Sequence, residues 1–168
     1  MGRKPLLSFA EIEDLHNKGL TYTQIAKIKG VTKQAVSKVV RLHGGSQTPR
    51  QTVGQHFPWK EVPRHFRESS PYKRMRDHGE WMATGGKGMQ GYKLDRLRWW
   101  HRYLRENNVV LEFDPEIPAI DGVSPGGGFA YRPRQEEDGD LLIRVNGYTQ
   151  MSPESYTIWV LPDPGEGP

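Results

Sequence analysis

The tightest constraint on the fold lies in residues 21–41, TYTQIAKIKGVTKQAVSKVVR, where two short amphipathic runs meet at Gly30. Thr21 is placed to cap a helix containing Ile25, Ala26 and Ile28. Gly30 then closes it, because a sharp turn needs a residue tolerant of positive φ. Thr32 caps the next helix, whose inward positions are Val36 and Val39. A small side chain at Ala26, four residues before the glycine, lets the helices approach closely. A β-branched one at Val36, six residues after it, fills the angle between them. Ile25, Val31 and Val39 complete the apolar set, and this is the spacing of a helix-turn-helix. Lys29 departs from it, since an apolar residue usually precedes the glycine; a small rotation would let Ile28 take the load. Upstream, Ser8-Phe9-Ala10-Glu11 reads as a capping box that starts a first helix with Phe9, Ile12 and Leu15 inward. Gly19 ends that helix and Leu20 packs behind it.

The outward positions of the third helix then have definite chemistry. Thr32, Lys33 and Gln34 stand at its N-terminal end, the end that enters a major groove. Gln can bond adenine N6 and N7 together, and Lys can reach guanine O6 and N7. Ser37 and Lys38 follow one turn on, and Arg41 one turn further. Tyr22 and Thr23, opening the preceding helix, are placed to hydrogen-bond phosphate at its positive end. A three-helix bundle without DNA would share the helix pair but has no need of this exposed polar set. Before the first helix, Gly2-Arg3-Lys4-Pro5 is either a basic arm for an adjacent minor groove, contacting it with Arg3 and Lys4, or a frayed end with incidental charge.

Charge supports a polyanionic partner. The net +4 divides into +12 over residues 1–107 and −8 over residues 108–168. The chain has no cysteine, which removes disulfides, thiolate zinc sites and cysteine nucleophiles. No apolar run is long enough to span a membrane, and MGRKPLL lacks a signal-peptide core, so a cytoplasmic protein is expected. No Gly-rich phosphate loop precedes a suitable helix and no nucleophile–base pairing stands out. The histidines, at 16, 43, 56, 65, 78 and 101, lack metal-ligand spacing. No catalytic residue, metal or cofactor is therefore expected.

Residues 44–56, GGSQTPRQTVGQH, read as an extended connection. Beyond them helices come first and strands second. Ser69 or Ser70 caps a helix over about residues 71–83, with Pro71 in its first turn. TGGKGMQG breaks it. A second helix follows with Leu94, Leu97, Trp100, His101 and Leu104 on one stripe, ending at Asn107–Asn108. Short β-rich runs, VVLEFDP, GGFAYRPR and DLLIRVN, predict a small antiparallel sheet, and SYTIWVL could add a strand. Lys73, Arg74, Arg76, Lys87, Lys93, Arg96 and Arg98 crowd positive charge onto the two helices and the glycine turn between them. As a cluster they are a second candidate DNA contact; singly, each also fits an ordinary solvated face.

The chain as a whole resembles the immunity repressors of temperate mycobacteriophages and other actinobacteriophages. The likeness rests on the arm with TYTQIAKIKGVTKQAVSKVV and on PWKEVP, YKRMRDHGEWMATGGKGM, LRWWHRYLRENNVVLEFDP, GGGFAYRPR and DLLIRV. It implies a repressor that silences lytic genes, confers superinfection immunity and binds many short asymmetric sites on double-stranded DNA as a monomer. The resulting expectation is an α+β chain. A three-helix helix-turn-helix domain spans 1–45 and a linker 46–56. A second α+β DNA-binding domain spans 57–161, and a disordered tail 162–168. Two other readings stay open: an accessory DNA-bending or recombination-directionality protein, and a regulator whose second domain binds a ligand or partner.

Overall fold

The computed structural model describes residues 7–43 and 49–168; Arg3 and Lys4 of the basic arm lie outside them. The fold is α+β and divides into two units, Met1–Thr48 and Pro49–Pro168.

In the first unit, helices α1 (Phe9–Asn17), α2 (Tyr22–Lys29) and α3 (Lys33–Leu42) begin at the residues whose side chains can cap them. Ser8 Oγ accepts from the Glu11 amide at 3.2 Å, and Thr21 forms the same reciprocal box with Gln24. Thr32 Oγ1 accepts from the Ala35 amide at 3.2 Å. Gly30 takes the left-handed conformation, φ 66°, that ends α2. The core is Leu7, Ile12, Ile25, Ala26, Val36 and Val40.

Two sequence expectations need correction here. Val40 is more deeply buried than Val39, because Val36 and Val40 share a stripe at i, i+4 and Val39 falls at its edge. Ile28 does not substitute for an apolar residue at 29; it is 61% exposed. Lys29 itself is half-buried, and its ammonium reaches Glu11 on α1 at 3.4 Å. A long aliphatic stem with a charged tip thus serves where a shorter apolar side chain would.

The second unit opens with α4 (Pro49–Gln55), in the stretch expected to be an extended connection. Its low apolar content hid it: Val53 anchors it against Gly79 and Trp159. A Cβ on Gly79 would lie 2.9 Å from the Trp159 ring and 3.0 Å from Val53, so glycine sets how closely the elements approach. A short turn of helix, α5 (Arg64–Arg67), precedes α6 (Ser70–Thr84) and α7 (Gly91–Glu106), which pack on each other. Strands β1 (Val109–Phe113) and β2 (Phe129–Pro133) pair antiparallel, with Val109 opposite Pro133 and Phe113 opposite Phe129. The core between helices and sheet includes Trp59, Met75, Leu97, Trp100, Leu104, Leu111, Phe113, Phe129 and Leu142. Trp100 donates to the Tyr131 hydroxyl at 2.8 Å, which satisfies its indole inside the core.

The remaining β expectations fall short. DLLIRVN forms no strand: it meets β1 through a parallel bridge between Leu111 and Ile143 and through Asn146, which donates to the Phe113 carbonyl at 2.8 Å, and Leu141 bridges Val160. SYTIWVL forms a short helix, α8 (Ser155–Ile158), before Trp159. Pro153 and Ser152, which bonds the Ser155 amide at 3.2 Å, favour that turn over a strand. Residues 162–168, expected to be a disordered tail, lie against α7. Arg105 donates to the Pro162 carbonyl at 2.7 Å and Arg98 to that of Pro168 at 2.5 Å.

Two buried imidazoles join α6, α7 and α8. His78 Nε2 lies 2.8 Å from the Ile158 carbonyl, and His78 Nδ1 lies 2.9 Å from His101 Nε2. A carbonyl only accepts, so His78 carries its proton on Nε2 and accepts at Nδ1 from His101 Nε2–H. Burial penalises the cation and pushes His78 down to about 4, opposed only by the Ile158 carbonyl. Burial, then His78 and Arg105, push His101 down to about 3. Unfolded imidazoles titrate near 6.5, so below that pH the unfolded chain binds more protons and stability falls. In urea unfolding of the full chain, the second unit should lose stability as pH drops from about 6.5 toward 4, by up to ~1.4 kcal/mol per pH unit per imidazole. His78→Gln should flatten that slope. A wild-type profile without any slope in this window would contradict the neutral pair.

Candidate nucleic-acid interface

Helix α3 offers the candidate surface because its caps and core use only one side of it. Val36 and Val40 face inward, and the Thr32 hydroxyl holds the first turn. Lys33, Gln34, Ser37, Lys38 and Arg41 are all exposed and together line an open hollow of about 480 Å³. Among the described residues none of these five is in an ion pair. Neither α2 nor α3 carries an acid: between Asp14 and Glu61 the chain has no carboxylate side chain at all. On this unit Lys18 is paired with Asp14 at 2.7 Å and Lys29 with Glu11. The Ser8 amide and Lys29 hold the Glu11 carboxyl below the usual range. The cations of α3 are left outward.

At the start of α2, Thr23 is exposed and Tyr22 is half-buried with its ring 4.9 Å from that of His16. Ring packing against His16 fixes where the Tyr22 hydroxyl can point. Gln24, by contrast, is occupied: its side-chain oxygen accepts from the Thr21 amide at 2.8 Å.

The basic cluster of the second unit is differently arranged, and much of its charge is already matched. Arg74 is half-buried and donates to Asp77 at 2.9 Å; Arg96 lies 4.0 Å from the same carboxylate and 5.3 Å from the centre of the Tyr92 ring. Lys93 lies 3.4 Å from Glu80, and Lys73 lies 3.4 Å from Glu68. Arg76 on α6 and Lys87 in the glycine turn are exposed and, among the described residues, in no ion pair. The glycine turn keeps three residues with positive φ, Gly85, Gly86 and Gly88, around Lys87.

Two basic residues, Arg50 and Lys60, were missed from sequence. Arg50 on α4 donates to Glu80 at 2.8 Å and, with Lys60, Arg76 and Lys93, edges a hollow of about 530 Å³ between α4 and α6. Phe57, Trp59 and Tyr72 also line it. The available signal was Pro49, a residue favoured in a first helical turn, followed by Val53. Trp99 is 66% exposed, with its ring stacked on Tyr103 at 6.2 Å.

Among the described residues no helix is long and apolar enough to cross a membrane, and no three His, Cys, Asp or Glu side chains converge as metal ligands. No family model matches the chain. It is 46% identical over 158 residues to the repressor-like immunity protein of Mycobacterium phage L5, a match covering 94% of this chain and 85% of that protein.

Because Gln34, Ser37 and Lys38 face solvent, replacing each with Ala should move stability by less than about 0.5 kcal/mol. Thr32→Ala, which removes a cap, should cost about 1 kcal/mol. Thermal unfolding of the four variants checks this, and a large loss at Gln34 would mean that it is structural.

Proposed function

The chain belongs to the family of phage repressor-like immunity proteins, and on that footing we propose that it is a sequence-specific repressor acting on double-stranded DNA. The helices α2 and α3, with the left-handed Gly30 between them, serve as a helix-turn-helix, and α3 enters the major groove. The observation that carries this reading is the exposed, unpaired set Lys33, Gln34, Ser37, Lys38 and Arg41 on one face of α3, within 46 residues free of carboxylate side chains. Gln34 and Lys33 are the base readers. Thr23 and Tyr22 hold phosphate at the start of α2, and Arg3 and Lys4 follow the neighbouring minor groove.

The second unit adds contacts to the DNA backbone through Arg76 and Lys87, with Lys73, Lys93 and Arg96 contributing where their carboxylate partners allow. Arg74, held by Asp77 at 2.9 Å, acts instead as a support for α6. Two unlike contacts on one chain suit a monomer on asymmetric sites, since nothing then demands a two-fold operator. In the bacterial host cytoplasm such a protein silences lytic genes of the resident prophage, maintains lysogeny and blocks superinfecting relatives.

Selection of bound duplexes from a random pool, using the full chain, tests the reading. Gln34→Ala should relax preference at one position, costing about 1–3 kcal/mol on the preferred site and little elsewhere. Arg76→Gln with Lys87→Gln should instead weaken all duplexes alike and lower the salt slope by about 2. Equal loss on all sequences for Gln34→Ala would remove it from base reading. Unchanged binding in the Arg76/Lys87 double variant would remove the second unit from the interface. A palindromic selected site would replace the monomer with a dimer.

A further inference from the structure

The imidazole chain of the second unit leaves one atom over. His101 is 2% exposed, and its Nδ1 has no hydrogen-bond partner among the described residues. With Nε2–H donated to His78 Nδ1, the Nδ1 of His101 carries a lone pair and can only accept. Its depressed basicity keeps it in that neutral form through the physiological range. Such a buried acceptor calls for a donor.

Residues 162–168 pass over this atom: a Cβ on Gly167 would lie 3.7 Å from it. Around it, Arg98, Arg102 and Arg105 occupy one face of α7, at i, i+4 and i+7. These side chains, His101 and the C-terminal segment enclose a hollow of about 310 Å³. Arg105 and Arg98 each give one N–H to a carbonyl of that segment, and Arg98 gives another to Asp95 at 2.8 Å. Arg102 is exposed and in no ion pair among the described residues. Asp163 also lines the hollow beside the three guanidinium groups, and Arg98 already gives one N–H to Pro168.

Guanidinium groups select an oxyanion, whereas a lone pair on nitrogen selects a proton donor. Sulfate, carboxylate and the phosphodiester of DNA supply the first without the second. Orthophosphate, or a singly protonated phosphate monoester, supplies both on one atom group. We propose that the hollow between α7 and residues 162–168 binds a protonated phosphate. Nδ1 is sealed beneath Gly167, so binding displaces that glycine; the P–OH then donates to His101 Nδ1, and the other oxygens face Arg102 and the remaining N–H groups of Arg98 and Arg105. Occupancy fastens the C-terminal segment to α7 independently of any DNA contact.

Titration of the full chain with sodium phosphate and with sodium sulfate at matched ionic strength tests this, read by thermal unfolding and by the 15N resonance of His101 Nδ1. Phosphate should raise the midpoint saturably and shift that resonance, with apparent affinity at least about tenfold above sulfate, the worth of one buried hydrogen bond. Arg102→Gln, at an exposed position, should fold normally and lose most of the phosphate response. Glycerol phosphate separates the sources: a stronger response than to inorganic phosphate assigns the site to a monoester, and a weaker one to the free ion. Equal responses to phosphate and sulfate, or no saturable response to either phosphate species, would overturn the proposal. So would weakened duplex binding by Arg102→Gln without a phosphate response, since the hollow would then belong to the DNA backbone.

Discussion

Trp159 is fully buried where distant parts of the second unit meet. Its indole N–H donates to the His56 carbonyl at 2.8 Å, next to the end of α4, and its own carbonyl accepts from the Leu142 amide at 2.9 Å. Its ring meets Phe57 edge-on at 5.2 Å and presses on Gly79 of α6. A small domain without disulfides or metal ligands has few ways to fasten its two ends. Here a single large aromatic residue, satisfied at its polar atom and matched by a glycine on the facing helix, does so. Residues 140–161 meet β1 at the Leu111–Ile143 bridge and through Asn146, and this contact and the His78–Ile158 bond beside it secure their far end.

The same economy explains which polar side chains stay available. In the first unit Ser8, Thr21, Gln24 and Thr32 are engaged in helix starts, and Lys18 and Lys29 are matched to acids of α1. The face of α3 is left outward, as are Lys27 of α2 and Glu13 of α1. In the second unit Asp77 and Glu80 absorb Arg74, Lys93 and Arg50, so a cluster that looks strongly basic in sequence presents fewer free cations in space. The two units therefore offer unlike candidate surfaces, one polar and unpaired, one largely neutralised.

The first unit was legible from sequence because its signals are local. Cap, apolar spacing and left-handed glycine all act within a few residues, and each helix start fell where they placed it. Helices α6 and α7 were legible from apolar spacing, Pro71 and the glycine break, although Ser69 makes no side-chain cap bond and its hydroxyl donates to the Phe66 carbonyl instead. What failed depended on partners distant in the chain. Helix α4 has one apolar anchor whose worth lies in Gly79 and Trp159, some 26 and 106 residues away. Ile143 and Val160 make bridges rather than strands, and α8 stands where the apolar run SYTIWVL could have added a strand. Residues 162–168 have the composition of a tail and are held by arginines of α7. In the candidate site, residue types were readable but pairings were not: nothing in YKRMRDH says that Arg74 turns to Asp77 while Arg76 turns to solvent.

The first unit's ionised groups are also unevenly divided between its helices. Its carboxylates, Glu11, Glu13 and Asp14, are all on α1, whereas α3 carries Lys33, Lys38 and Arg41 and no acid. Such a separation is an electric dipole as well as a net charge. A polyanion's field would exert a torque on that dipole and turn the unit toward α3-first approach at about one Debye length. Orientation is usually what slows productive encounter between macromolecules. For a polyanionic partner, part of that search would be completed before the surfaces touched, by keeping all three acidic residues on one helix.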